Sequence, residues 1–325
     1  MKMKAFPYDG FKKTGGAIVA GYILRRLLYS IFVIWGAVTI IFFIIRVIPG
    51  NPALVMLGSS ATQAEIDALT QALGLNEPLI QQYITYLLDV VKLDFGDSFR
   101  LGGPAIDHVL YRLPFTITLA TTSIIIAILI SFPLGILAAR RANKFTDWII
   151  STGSLVGQSL PTFWVGIILI LIFARWLNIL PSAGSGSVGH LILPAFTLCL
   201  PFIGMIVRLI RNGILDELSQ GYVQTAKSKG LKENIIFYVH VLRNVLIPVV
   251  TMMGLLLGEF IGDAIIIEVV FSWPGLARLL IDSILNRDYA IVQAAVFVIA
   301  SAYVIINLFV DILYGIIDPR VQLEE

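Results

Sequence analysis

Two long stretches of this chain, Pro114–Ala139 and Trp148–Ala174, carry no charged residue at all. A helix needs roughly 20 apolar residues to cross about 30 Å of hydrocarbon at 1.5 Å per residue. Both stretches exceed that length, so the chain is expected to fold in a bilayer rather than around a water-soluble core. Composition agrees. Hydrophobic residues make up 58% of the 325 and charged residues 14%, against about 25% charged in soluble domains. Mean hydropathy is +0.89. These values exclude a disordered chain and an ordinary soluble enzyme. A single cysteine excludes a disulfide framework or a cysteine-based metal cluster. A net charge of +2 argues against a nucleic-acid partner.

Four further apolar stretches complete a set of six spans. They are Leu27–Ile48, with Arg46 near its far end; Leu191–Val207, short and holding Pro194 and Pro201; Val245–Phe271, with three acids; and Ile291–Val310. Lysine and arginine orient the set, because cytoplasmic loops carry their excess. The N-terminal segment (Lys2, Lys4, Lys12, Lys13, Arg25, Arg26), the loop with Arg140, Arg141 and Lys144, and the loop from Arg208 to Arg243 fall on one side only if there are six spans. Both termini are then cytoplasmic. The segment 51–113, rich in aspartate and glutamate, lies outside. The first span lacks a small-residue cleavage site and is too long for a signal peptide.

Within 51–113, Thr62-Gln63-Ala64-Glu65 has the pattern of a capping box, and Ile66, Leu69 and Leu73 follow on one helical face up to Gly74. A second helix is expected from Pro78 at its first position, with Ile80, Ile84, Leu87, Leu88 and Val91 as its apolar stripe. This small helical segment either caps the span ends or offers a contact surface to a soluble partner or substrate.

Familiar catalytic patterns are missing. There is no G-x-x-x-x-G-K-[ST] loop, no H-E-x-x-H and no G-x-S-x-G. His108, His190 and His240 fall on both sides of the membrane, which makes a metal site built from them improbable, and Cys199 reads as packing. No catalytic or metal-ligating residue is therefore expected.

Three acids stand out in the fifth apolar stretch. A mid-membrane charge costs roughly 2.5–3.5 kcal/mol on insertion scales and seldom faces lipid. Counted from Val245 at 1.5 Å per residue, Glu259 lies about 21 Å along the helix, Asp263 about 27 Å and Glu268 about 35 Å. Glu259 and Asp263 share a face, bordered by Gly258 and Gly262, and Glu268 is expected at the outer interface within reach of water. Pro161 is expected to kink the third span, with Ser159 and Thr162 satisfying the freed backbone groups. Its structural role competes with a bend that lines a pathway.

The longest cytoplasmic loop contains Tyr222-Val223-Gln224-Thr225-Ala226-Lys227-Ser228-Lys229-Gly230-Leu231. Two short helical pieces separated by Gly230 fit it, with Ala226 and Gly230 as a small-residue face. Taken alone, it reads equally as a solvated amphipathic connector. Its Gln224-Thr225-Ala226 followed by Gly230, and the later His240, Arg243, Asn244 and Pro248, resemble the coupling loop of the dipeptide/oligopeptide/nickel branch of ABC importer permeases, with Gln and Thr in place of the usual Glu and Ala. Other segments in matching order resemble the same branch: Arg46 to Pro52; Leu73-Gly74-Leu75 with Pro78, Gln82 and Tyr83; Asp94-Phe95-Gly96 with Ser98; Glu268 to Leu276; Asn286 to Tyr289; and Asp318-Pro319-Arg320.

The resemblance implies an all-α polytopic membrane protein with six transmembrane helices, the type I ABC importer permease fold, and a helical extracytoplasmic segment between helices 1 and 2. Its divisions would be a cytoplasmic segment 1–21, a first transmembrane helix 22–49, the extracytoplasmic segment 50–111, a permease core 112–317 with the coupling loop at 213–240, and a tail 318–325. The chain would be one permease subunit of an ATP-driven importer in the cell (inner) membrane. A second permease, two cytoplasmic ATPase subunits carrying ATP and Mg, and an extracytoplasmic solute-binding protein would be its partners, with no cofactor on the chain itself. Tyr222, Gln224, Thr225, Ala226, Gly230 and Leu231 would contact the ATPases. Glu259, Asp263 and Pro161 would line the pathway, and Glu268, Phe271, Pro274 and Gly275 would form an outer gate region. Glu259 and Asp263 depart from the family, where these positions are more often small. They either attract an amine or chelated cation, or pair with the second permease. Peptides are the first expectation for substrate, with nickel or another metal chelate and glutathione as alternatives. A secondary transporter and a membrane receptor or scaffold are the competing classes. No clear internal repeat supports the former.

Overall fold

The computed structural model describes residues 11–47, 52–58, 61–72 and 74–317, with those at 11–24, 52, 55, 247, 255–259, 261 and 311–317 described by backbone alone. Ile48 to Asn51 of the motif Arg46 to Pro52, the end of the first stripe at Leu73 and the tail motif Asp318-Pro319-Arg320 lie outside these residues. Every regular element among the described residues is helical. In chain order these are α1 (Phe11–Val47), α2 (Pro52–Leu57), α3 (Gln63–Ala72), α4 (Leu79–Val91), α5 (Ala105–Arg140), α6 (Phe145–Ser159), α7 (Thr162–Leu169, continuing as a π-helical turn Ile170–Trp176), α8 (Val188–Leu218), α9 (Gly221–Ser228), α10 (Glu233–Ile235, followed by a π-helical turn Ile236–Val241), α11 (Leu242–Val270), α12 (Leu276–Leu285) and α13 (Tyr289–Ile317).

Five helical stretches are long and apolar enough to cross a membrane, and the pair α6–α7 makes a sixth crossing if taken together. That pair is bent by 104°. The expected kink at Pro161 is therefore a full break. Leu160 and Pro161 are both extended (ψ 135° and 127°), and α7 starts afresh at Thr162. The reason lies in proline itself, which has no N–H and pushes its predecessor out of the helical region. Ser159 donates its hydroxyl to the Leu155 carbonyl at 2.8 Å, a group inside α6 and not the Gly157 carbonyl that the proline leaves free.

α8 is the central helix. It packs against α5, α6, α7 and α11 and contributes a run of buried residues from Leu193 to Ile214. Small residues set the approach of its neighbours. A Cβ at Gly204 would collide with the Ser154 carbonyl of α6, and one at Gly135 would come within 2.8 Å of Ile210. On the α11 side, Phe202 and Phe260 stack with ring centroids 3.8 Å apart.

A second apolar cluster joins α1, α4, the start of α5, α12 and α13, with Phe42, Tyr86, Val90, Phe95, Val109 and Leu276 among its members. At the start of α3 the capping box forms as expected. Thr62 donates its N–H and hydroxyl to Glu65 Oε2, both at 2.8 Å. Gly74 adopts φ +63°, and the Leu75 N–H reaches back to the Thr70 carbonyl at 3.0 Å. α4 turns the other way from its expected stripe. Tyr83, Tyr86, Leu87 and Val90 face the cluster, while Ile80, Ile84, Leu88 and Val91 are exposed. Aromatic packing decides this. Tyr86 stacks on Phe42 at 5.2 Å, and the Tyr83 hydroxyl meets Thr39 Oγ1 at 2.7 Å. Pro78 is the N-cap of α4 rather than its first residue, because its carbonyl already accepts from Gln82.

Candidate functional site

On the face where α5 ends and α6 begins, α9 is an eight-residue helix resting on the bundle. Val223 is fully buried, and Ala226 packs against the main core. Gln224, Thr225, Lys227, Ser228 and Leu231 are exposed. Ala226 therefore serves intramolecular packing, and of the expected small-residue pair only Gly230 is exposed. Gly230 sits at φ +76°, and the Leu231 N–H reaches the Ala226 carbonyl at 3.3 Å. Its role is to close the helix in a left-handed turn that a side chain opposes.

Tyr222 pins α9 in place. Its hydroxyl donates to Glu217 Oε2 at 2.5 Å, and Asn244 Nδ2 donates to the same oxygen at 3.1 Å. The end of α8, the start of α9 and the start of α11 are thus tied at one carboxylate. Burial, then the bond to Glu217, pushes the Tyr222 phenol up to about 12, so it stays a neutral donor. Beside it, the Arg140 guanidinium lies 4.5 Å over the Phe237 ring and 4.9 Å over that of Tyr238.

At the opposite end, the residues expected to form an outer gate region are brought together in a compact corner. Glu268 is fully buried, which corrects its expected place at a wet interface. The chain doubles back after α11, so that the N-terminus of α12 closes over the carboxylate. Glu268 accepts from Thr116 Oγ1 at 2.6 Å and from the Arg278 N–H at 3.0 Å, and the Ala277 N–H also donates to it. Thr116 Oγ1 in turn accepts from the Leu276 N–H at 2.8 Å. A carboxyl group thus caps the first N–H groups of α12, which have no partner within the helix. Gly275 admits the carboxylate, since a Cβ there would overlap it. Phe271 is buried against Gly166, Pro274 accepts from Arg112 at 3.3 Å, and Trp273 Nε1 donates to the Phe115 carbonyl at 3.0 Å.

Asp263 is half-buried, and the Glu259 side chain lies outside the described residues. Pro161 lies at the α6–α7 break. One ion pair was missed by sequence reasoning: Arg211 forks onto Asp147, Nε to Oδ1 at 2.6 Å and Nη2 to Oδ2 at 2.7 Å. Spacing gives no signal for a pair so far apart in sequence, although an aspartate in the first turn of a helix after a basic loop is a hint. Among the described residues no group of three or more potential ligands is placed to hold a metal.

Comparison with known proteins gives two family matches. Residues 131–323 match the binding-protein-dependent transport system inner membrane component, and residues 19–120 match the N-terminal region of such membrane components. Among curated relatives, the oligopeptide transport system permease protein AppB of Bacillus subtilis (strain 168) is 38% identical over 315 residues, covering 94% of this chain and 100% of the relative. The dipeptide transport system permease protein DppB of Alkalihalophilus pseudofirmus is 38% identical over 329 residues, covering 93% and 99%. The glutathione transport system permease protein GsiC of Escherichia coli (strain K12) is 38% identical over 301 residues, covering 93% and 98%. Among solved structures, the MetNI methionine ABC transporter in inward facing conformations matches with a TM-score of 0.55 at 16% identity, over 65% of this chain and 96% of that one. An amino acid ABC transporter with histidines matches with a TM-score of 0.51 at 16% identity, over 66% and 94%. These two speak to the fold.

Proposed function

We propose, from the premise that this chain belongs to the binding-protein-dependent transport system inner membrane component family, that it is a permease subunit of an ATP-driven importer of di- or oligopeptides. The observation that carries this reading is the near-complete match to relatives named for oligopeptide and dipeptide transport. A glutathione importer is the second reading, favoured by an equally similar relative named for that tripeptide.

In this reading the chain forms a pathway with a second permease. Two ATPase subunits carry ATP and Mg, and a binding protein delivers substrate from outside. Both termini are cytoplasmic, supported by the basic loops that fall on one side when α6–α7 counts as a single crossing. α9 is the coupling helix. Its exposed face, Gln224, Thr225 and Leu231 with Gly230 at its end, is what an ATPase cleft would grip, and the Tyr222–Glu217–Asn244 tie transmits its displacement to α8 and α11. Glu259 and Asp263 line the pathway and attract the ammonium of a peptide, and the break at Pro161 lines it as well. The capped corner of Glu268, Phe271, Pro274 and Gly275 is the outer gate region, a reading supported by its rigid hydrogen bonding at the end of α11.

Two experiments test this. Thr225→Trp places a bulky group on the exposed face of α9 without straining its backbone, unlike a substitution at Gly230. The variant should remain in the membrane and lose substrate uptake. Uptake at the parent's rate would overturn the coupling assignment. Glu259→Gln/Asp263→Asn should slow uptake of cationic substrates more than neutral ones, and unchanged rates for both would remove the acids from the pathway.

A further inference from the structure

α8 carries two arginines one turn apart that meet different fates. Arg211 is matched by Asp147 in the first turn of α6. Arg208 leans away from that end, toward the Gln158 side chain, to which its Nη2 donates. Gly204 permits this, since the Gln158 Cβ lies 3.4 Å from where a Cβ at 204 would sit. An amide does not neutralise a guanidinium. No carboxylate among the described residues pairs with Arg208, and its Nε has no hydrogen-bond partner. A guanidinium that lacks a carboxylate can take an anion where it borders an open space. A groove of about 250 Å³ between α8 and α11 is lined by Met205, Arg208, Leu209, Asn212 and Met252.

We propose that this groove receives the C-terminal carboxylate of a peptide on the guanidinium of Arg208. The planar fork of arginine suits a carboxylate better than any other anion-binding side chain does. Met205 and Met252 supply a soft, adaptable wall for a terminal residue of variable shape. The proposal rests on the reading that the α8–α11 face lines the pathway, and it adds an anion-binding end to that face. On α11, Met252 and Asp263 are eleven positions apart, so they share a stripe to within about 20° and lie about 16 Å apart along the axis. An extended chain covers roughly 3.3–3.6 Å per residue. A zwitterionic peptide of about five residues thus matches the distance between a basic inner end and an acidic outer end.

The test uses the assembled complex in inside-out vesicles, without binding protein. Asn212→Cys is introduced at the groove and labelled with a water-soluble maleimide. The single native cysteine, Cys199, is buried. Tetra-alanine should slow labelling several-fold, its C-terminal amide should not, and Arg208→Gln should abolish the slowing while Arg208→Lys keeps part of it. Equal slowing by acid and amide, no slowing by either, or slowing that persists in Arg208→Gln would each overturn the proposal. If Arg208→Gln fails to assemble, the acid-versus-amide comparison in the parent still decides. The pathway reading fails on a separate result, unchanged uptake in the Glu259→Gln/Asp263→Asn variant.

Discussion

Ser98 donates its hydroxyl to Oδ2 of Asp288 across 2.5 Å, with both residues buried. The bond joins the turn after α4 to the start of α13. It also fixes that turn internally, because the Leu101 N–H donates to the same Ser98 oxygen at 2.9 Å. Asp288 Oδ1 has no hydrogen-bond partner among the described residues, so Ser98 is the carboxylate's principal compensation there.

Ser98→Ala is therefore expected to cost about 2–3 kcal/mol, the usual consequence of stripping a donor from a buried charged group. Ser98→Thr, which keeps the hydroxyl, should lose much less. The half-life of the purified complex at a fixed elevated temperature is the measurement. Equal half-lives for Ser98→Ala and the parent would show that the bond contributes nothing.

Gly275→Ala should damage the outer corner more than Glu268→Gln does. The alanine methyl would overlap the Glu268 carboxylate and force it off the N-terminus of α12, leaving the Ala277 and Arg278 N–H groups without their acceptor. Each buried donor so abandoned costs about 1–3 kcal/mol. Glutamine keeps one acceptor oxygen and loses mainly the charge. Thermal inactivation of the two variants side by side gives the ranking, and the reverse order would contradict the cap.

Acid should loosen α3 at a threshold set by Glu65. Hydrogen bonds from the Thr62 N–H and hydroxyl hold the Glu65 carboxyl below the ordinary carboxylate range. A depressed folded value contributes stability above the unfolded value, and that stability is lost as pH falls through the folded one. Hydrogen exchange of residues 62–72, corrected for its intrinsic pH dependence, should therefore accelerate as pH falls through the usual carboxylate range and level off below the depressed value of Glu65. Glu65→Gln should remove that step, and a step of unchanged size in the variant would assign it to another group.

Local signals in the chain were reliable where one residue's neighbours in sequence are also its partners in space. The Thr62–Glu65 box is such a case, and so is the stop at Gly74. The long charge-free stretches specified helices in lipid because every backbone group there must be satisfied within its own segment. The order of weak motifs pointed to the family, and two pairs of them turned out to touch: Arg46 Nε donates to Gln82 Oε1 at 2.9 Å, and Ser98 donates to Asp288.

Other features depended on residues far apart in the chain. α4 is apolar on more than one face; periodicity pointed to the stripe of Ile80, Ile84, Leu87, Leu88 and Val91, whereas the ring of Phe42 on α1 selected the face bearing Tyr83 and Tyr86. Counting along α11 placed Glu268 at a wet boundary, because a linear count does not include a chain that folds back to bury it under α12. Gly204, Gln158 and Arg208 carry no pattern in the sequence. Only the close crossing of α6 and α8 brings them together and leaves Arg208 facing a groove without a carboxylate of its own. The sequence by itself determined that this chain spans a membrane as helices and which family it belongs to, since both follow from local composition and motif order. The tertiary structure decided which polar groups are paired and which are not, because burial and pairing are properties of crossing helices rather than of either helix alone.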